Sequence, residues 1–191
     1  GHVLPGVERA EAVVGGVGRD TLEAELEARI RHDDDGYIDN SRVVFDQSLL
    51  ELVAPVAGES FDFETPDVVL TAATDGITLA AAMAAHFGAT VAYAKKSKET
   101  AVEEFIESRQ RLDSGIELTY YLPARAIDAG DSVLVVDDLI RSGETQELLL
   151  DITERAGADV SGVFALIAAG EEGIDRAKTR VDAPVGALTT L

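Results

Sequence analysis

The chain has 191 residues and no cysteine, is 46% hydrophobic, and carries a formal charge of −20 from 36 acidic and 16 basic side chains. That length suits one α/β domain with a sizeable core, and the missing cysteines exclude disulfides, thiol nucleophiles and thiolate metal sites. The charge repels nucleic-acid phosphate, so nucleic acid is an unfavoured partner, and no apolar run reaches the roughly 18 residues of a membrane span.

Gly1-His2 reads as a cleaved-tag remnant, with no signal-peptide core behind it. Asp20 offers an N-cap, and Leu22, Leu26 and Ile30 follow at helical spacing, predicting an amphipathic helix that ends near His32. Asp33-Asp34-Asp35-Gly36 reads as a turn. Asp46 caps a second expected helix bearing Leu49, Leu50 and Val53 and stopping near Pro55. Val68–Thr71 reads as a short buried strand, Ile77–Phe87 as a helix closed by Gly88, and Thr90–Ala94 as the next strand. Glu99–Gln110 looks helical or mobile, and Glu117–Leu122 extended. Ser132–Val136 is the central strand, Glu144–Ala156 a helix closed by Gly157, and Val160–Ala168 and Val185–Thr190 the last strands. Strands alternating with helices imply an α/β fold with a mostly parallel sheet flanked by helices. His2, His32 and His86 lack metal-ligand spacing, which argues against a histidine zinc site.

Chemistry concentrates in Val133-Leu-Val-Val-Asp-Asp-Leu-Ile-Arg-Ser-Gly-Glu-Thr145. An apolar strand runs into Asp137 and Asp138, where open α/β sheets bind ligands. Ser142, Gly143, Glu144 and Thr145 then open a helix whose backbone N–H groups can wrap a phosphate. Acids for sugar hydroxyls beside a phosphate nest describe a pocket for a phosphorylated sugar. Thr74-Asp75-Gly76 joins another strand to a helix, with small residues that let backbone approach a ligand. Lys95, Lys96 and Lys98 are three of the four lysines in the chain, and their clustering suggests a polyanion. There is no Gly-x-Gly-x-x-Gly and no Gly-Lys-Ser/Thr loop, which sets aside dinucleotide and P-loop readings.

These residues resemble the type I phosphoribosyltransferases, over roughly residues 40–191, on the purine side of that family. The resemblance implies one domain over 1–191: an N-terminal helical part at 1–40, a core at 66–170, and a small C-terminal hood at 171–191. It implies that Asp137 and Asp138 hold the ribose hydroxyls of phosphoribosyl pyrophosphate, directly or through Mg²⁺. It assigns residues 141–145 to the 5′-phosphate, Thr74–Gly76 with Lys95 and Lys96 to pyrophosphate, and Leu139 or Ile140 to a face of the base. Arg141 would lie at the junction of base and phosphate. The chain departs from the family pattern at Asp75, where a basic residue is common, at Ala169, where purine enzymes often carry lysine, and in the acidic loop Glu99–Asp113. The implied function is transfer of ribose 5-phosphate to a nucleobase, a purine first, in nucleotide salvage by a cytoplasmic homodimer. The alternative is a non-catalytic sensor of phosphoribosyl pyrophosphate or a nucleotide on the same fold. The acid-rich, lysine-poor composition resembles proteins of salt-in halophiles.

Overall fold

The computed structural model describes residues 17–112 and 115–191. Residues 1–16 of the expected N-terminal part, Gly1-His2 among them, and residues 113 and 114, with Asp113 of the acidic loop, lie outside the described residues. Helix α1 (Arg19–Arg29) buries Leu22 and Leu26 as the periodicity requires. It ends at Arg29, not near His32, because His32 joins strand β1 (Arg31–His32). That strand pairs with β2 (Ile38–Asp39) around the Asp33–Gly36 turn. A single helical turn, α2 (Ser41–Val44), leads into α3 (Gln47–Phe61). Asp46 caps α3 as expected, accepting the Leu49 N–H at 3.2 Å.

Pro55 does not stop α3, which runs on for six residues. A mid-helix proline costs about 3 kcal/mol through one lost hydrogen bond and a ring clash. Here Leu49, Leu50 and Val53 before it, and Val56 and Ala57 after it, are all buried. Burying each large apolar side chain contributes about 1.5–3 kcal/mol, so packing on both sides outweighs the break.

The central sheet comprises β3 (Val68–Ala72), β4 (Thr90–Ala94), β7 (Ser132–Ile140), β8 (Asp159–Ala168) and β9 (Val185–Thr190). Its order is β4-β3-β7-β8-β9, and every neighbouring pair is parallel. Helix α4 (Gly76–Phe87) links β3 to β4, and α5 (Glu144–Ala156) links β7 to β8. One core forms where α1 to α4 cover Val69, Leu134, Val136, Phe164 and Leu188. A second forms where α5 and α6 (Glu172–Lys178) cover Leu70, Val133, Val135, Val163 and Ala165. The alternation of odd and even residues between the two cores is the period-2 geometry of a strand buried on both faces.

Two expectations fail in the middle of the chain. The Glu99–Gln110 stretch is not helical: Phe105–Arg111 forms β5, the antiparallel partner of β6 (Glu117–Pro123). The charged, good helix-forming residues there mask an alternation that the pairing reveals, with Ser108 buried and its neighbour Arg109 exposed. The hairpin packs on α5 and joins the sheet at one bridge, Lys95 to Tyr121. The central strand is also longer than Ser132–Val136, so Asp137 and Asp138 lie within β7 rather than after it. Residues 171–191, the expected hood, contribute α6 and the edge strand β9, against which α1 packs.

Candidate functional site

From β3 the chain moves outward to β4, then returns across β3 to β7. The reversal opens a crevice between the C-terminal ends of β3 and β7, the place where open α/β sheets bind ligands. Thr74–Gly76 leaves β3 there, and Asp137–Thr145 ends β7 there. Ala73 N–H donates to the Ala94 carbonyl at 2.9 Å, which sets the Thr74–Gly76 loop beside Lys95. The Ala73–Thr74 peptide is cis.

Gly76 begins α4 and is buried. A Cβ added there would overlap Thr71 Oγ1 and come within 3.3 Å of Asp137 Oδ1. Only glycine lets the positive end of α4 approach the acids this closely. Thr74 and Asp75 are exposed on the loop before it.

Asp137 and Asp138 point to opposite faces of β7, as successive strand residues must. Asp137 is 8% exposed and faces α5, where Gln146 Nε2 donates to Oδ2 at 2.6 Å and the Asp138 N–H donates to Oδ1 at 3.0 Å. Burial, then the neighbouring Asp138 charge, push its carboxyl well above the usual range. Asp138 is half-buried on the other face and accepts from Asn40 Nδ2 at 2.6 Å. The two carboxyls therefore present one sheltered group and one accessible group to the crevice.

The loop Arg141–Gly143 carries Gly143 at φ 79°, which turns the chain into α5. Ser142 Oγ donates to Glu144 Oε2 at 2.9 Å, and the Thr145 hydroxyl shares a hydrogen bond with Tyr120. Burial raises the Tyr120 hydroxyl above its ordinary range. Ile140 is fully buried against Gly173 of α6, while Leu139 is half-buried and packs against the core under α1 to α4. Arg141 is exposed and has no side-chain hydrogen bond or ion pair among the described residues. Lys95 pairs with Glu99 and lies 5.2 Å from the Tyr93 ring, while Lys96 is exposed. Lys98 pairs with Glu107 at 3.5 Å, so the acidic loop partly neutralises the lysine cluster.

The structure thus brings Gly76, Asp137, Asp138 and Ser142–Thr145 to one crevice and sets Lys95 at its β4 side. It also adds Asn40, Gln146, Tyr120, Gly173 and Arg176, which sequence reasoning missed. Gln146 stands next to Thr145 in the motif and could have been read as its continuation. Asn40 lies 98 positions from Asp138, and nothing local marks it.

Residues 45–185 match the family model described as the phosphoribosyl transferase domain. The xanthine phosphoribosyltransferase of Bifidobacterium adolescentis is 28% identical over 131 residues, 67% of this chain and 68% of that protein. The purine biosynthesis transcriptional repressor PurR of Bacillus subtilis is 28% identical over 141 residues, 73% of this chain. The match spans about half of the repressor's own length, 49%. The crystal structure of adenine phosphoribosyltransferase from Rhodothermus marinus superposes with a TM-score of 0.77 at 26% identity, covering 90% of this chain and 99% of that one. A family match over most of the chain, agreeing with the crevice, its paired acids and its Ser142–Thr145 helix start, places this protein: it belongs to the type I phosphoribosyltransferase family, and it is similar to xanthine and adenine phosphoribosyltransferases.

Proposed function

We propose that the protein transfers ribose 5-phosphate from phosphoribosyl pyrophosphate to a purine in nucleotide salvage. The observation that carries this reading is the convergence, at the β3/β7 switch point, of two acids with a Ser-Gly-Glu-Thr helix start. In the reaction a base nitrogen forms the bond to C1′ of the ribose as the bond from C1′ to the pyrophosphate oxygen breaks. The backbone N–H groups of residues 142–145, with the Ser142 and Thr145 hydroxyls, hold the 5′-phosphate. Asp138, with its exposed edge and its Asn40 partner, accepts from a ribose hydroxyl. Asp137, held by Gln146, supports the opposite side of the same sugar. Thr74–Gly76 and the N-terminus of α4 receive the leaving pyrophosphate, with Lys95 and Lys96 beside them. Fixed dipoles and charges aimed at the developing charge supply the rate in such a site, and no covalent intermediate on the protein is required.

Mg²⁺ would screen the pyrophosphate charge. The donors fit an ion held chiefly by substrate oxygens: Asp137 and Asp138 are adjacent, and no group of three or more His, Asp or Glu among the described residues could cage a metal.

A second reading keeps the ligand and drops the turnover. Asp75 sets a carboxylate on the loop for pyrophosphate, Ala169 removes the lysine that purine enzymes often use, and the relatives include a repressor. In this reading the chain senses phosphoribosyl pyrophosphate. The deciding experiment measures pyrophosphate release with xanthine, guanine, hypoxanthine and adenine in molar KCl with Mg²⁺. Turnover with one purine establishes the enzyme. Tight binding of phosphoribosyl pyrophosphate with no release for any base establishes the sensor.

A further inference from the structure

The loop for the 5′-phosphate is held from behind by α6, a helix too short to be read from the sequence. Gly173 in its first turn touches the loop backbone: a Cβ there would stand 2.5 Å from Ile140 Cγ2, 2.6 Å from Arg141 O and 2.9 Å from Gly143 N. From the same face of α6, three residues on, Arg176 reaches the loop with both arms of its guanidinium. Nη1 donates to the Ser142 carbonyl at 3.4 Å, and Nη2 donates to Glu147 Oε2 at 2.6 Å. Glu147 stands in the first turn of α5, and its N–H donates to the Gly143 carbonyl at 3.0 Å. The same Glu147 oxygen also accepts from Gln110 Nε2 of β5 at 2.9 Å. The Arg176 contact, then the Gln110 contact, hold the Glu147 carboxyl below its usual range, so it stays ionised.

We infer that Glu147 and Arg176 form a brace that fixes the 5′-phosphate loop and ties it, through Gln110, to the β5–β6 hairpin. The inference rests on the phosphate-loop reading above and adds to it two positioning residues, neither of which touches the reacting atoms. In a planar trans peptide the N–H points opposite to the C=O. Anchoring the Ser142 carbonyl on Arg176 therefore aims the Gly143 N–H away from Arg176. An anion bound by that N–H sits on the far side of the loop, with Arg176 behind it. Charge-assisted pairs are the stronger hydrogen bonds, and this one is only partly exposed, so it can hold a loop that has few side chains of its own to pack. The tie to Gln110 gives the hairpin a lever on the loop: displacing β5 removes one of the two donors that orient Glu147.

Electrostatics alone makes the opposite prediction, and that separates the two. Glu147 is a negative charge close to a site for a dianion. If only charge mattered, Glu147→Gln would free Arg176 and tighten phosphate binding. If the brace matters, the same substitution loosens the loop and weakens it. The test is calorimetry in molar KCl with ribose 5-phosphate and, separately, Mg-pyrophosphate as probes, on Glu147→Gln, Arg176→Met, the double variant and Gln110→Ala. We expect each of the first two to weaken ribose 5-phosphate by about tenfold, about 1.4 kcal/mol, while Mg-pyrophosphate shifts by less than about twofold. The double variant should be no weaker than the worse single one, since coupled residues do not add. Gln110→Ala should weaken the same ligand by a smaller factor. Unchanged or tighter ribose 5-phosphate binding in Glu147→Gln overturns the brace, as does an equal loss of both ligands. If the wild-type protein binds no ribose 5-phosphate at all, the phosphate-loop reading fails and the brace with it.

Discussion

Asp137 and Asp138 are one peptide apart in β7, yet their surroundings give them different work. Asp137 is sealed between α5 and the start of α4, and its carboxyl holds its proton to higher pH than it would in the unfolded chain. Between the ordinary carboxyl range and that raised value the folded state binds more protons, so its stability falls as pH rises. Asp137→Asn removes this dependence. The variant's melting temperature should therefore gain on the wild type as pH climbs from about 4 to about 7 in metal-free buffer. Parallel melting curves for the two proteins across that range would show that Asp137 is not strained by burial. Asp138 is the more accessible of the two and, in the proposed function, faces the ligand. Asp138→Asn should weaken phosphoribosyl pyrophosphate by at least about tenfold, or about 1.4 kcal/mol. The lost interaction is a charge-assisted acceptor to a ribose hydroxyl. Calorimetry showing unchanged affinity would move the ribose elsewhere.

The approach of α4 to the sheet belongs to the element scale, and it depends on one missing side chain. Thr71 Oγ1 is buried under Gly76 and has no hydrogen-bond partner among the described residues. Gly76→Ala drives a methyl into that hydroxyl, and overpacking of this kind costs about 1–3 kcal/mol. It should also push the α4 N-terminus off the crevice and weaken Mg-pyrophosphate. Thr71→Ala removes the obstructing hydroxyl and leaves no bonded partner stranded, so it should be nearly neutral alone and should rescue Gly76→Ala. A double variant as unstable as Gly76→Ala in thermal melts would mean that backbone, not Thr71, sets the limit. Elements like α4 were legible because their signals are local: Ile77–Phe87 with Gly88, Thr90–Ala94, Glu144–Ala156 with Gly157, and Val185–Thr190 all stand where composition and caps put them. Pro55 misled because its penalty is local while the packing that overrides it comes from α1 and α4. Phe105–Arg111 misled because its charged, helix-favouring residues mask the period-2 alternation, although its partner β6 begins only six residues on. The same holds in the site. Asp137–Thr145 could be read from one stretch, whereas Asn40 on Asp138 and Arg176 on Ser142 join residues 98 and 34 positions apart, which only the fold brings together.

For the whole molecule, charge is the dominant question. The 36 acids outnumber the 16 bases by 20, so even complete pairing leaves 20 acids without a cation. The described ion pairs are mostly exposed and short-range, such as Arg19–Glu23, Arg29–Glu25 and Arg155–Asp151. Each such pair contributes between about 0 and 1 kcal/mol, and salt weakens it. Salt also weakens the repulsion among the unpaired acids, and these are more numerous than the pairs. Screening shortens the Debye length from about 10 Å at 0.1 M to about 3 Å at 1 M, less than the spacing of most surface charges. The repulsive sum should therefore win, and the melting temperature should rise from dilute buffer to molar KCl, with most of the gain complete by about 1 M. Salting-out of apolar surface would instead keep raising it beyond that point. Neutralising four exposed acids that take no part in the described ion pairs, Glu51→Gln, Glu59→Gln, Glu64→Gln and Glu103→Gln, should shift the whole curve to lower salt. A profile flat in KCl, or one unmoved by the four substitutions, would mean that the acids are tolerated without cost and that the salt-adapted reading of the composition is wrong.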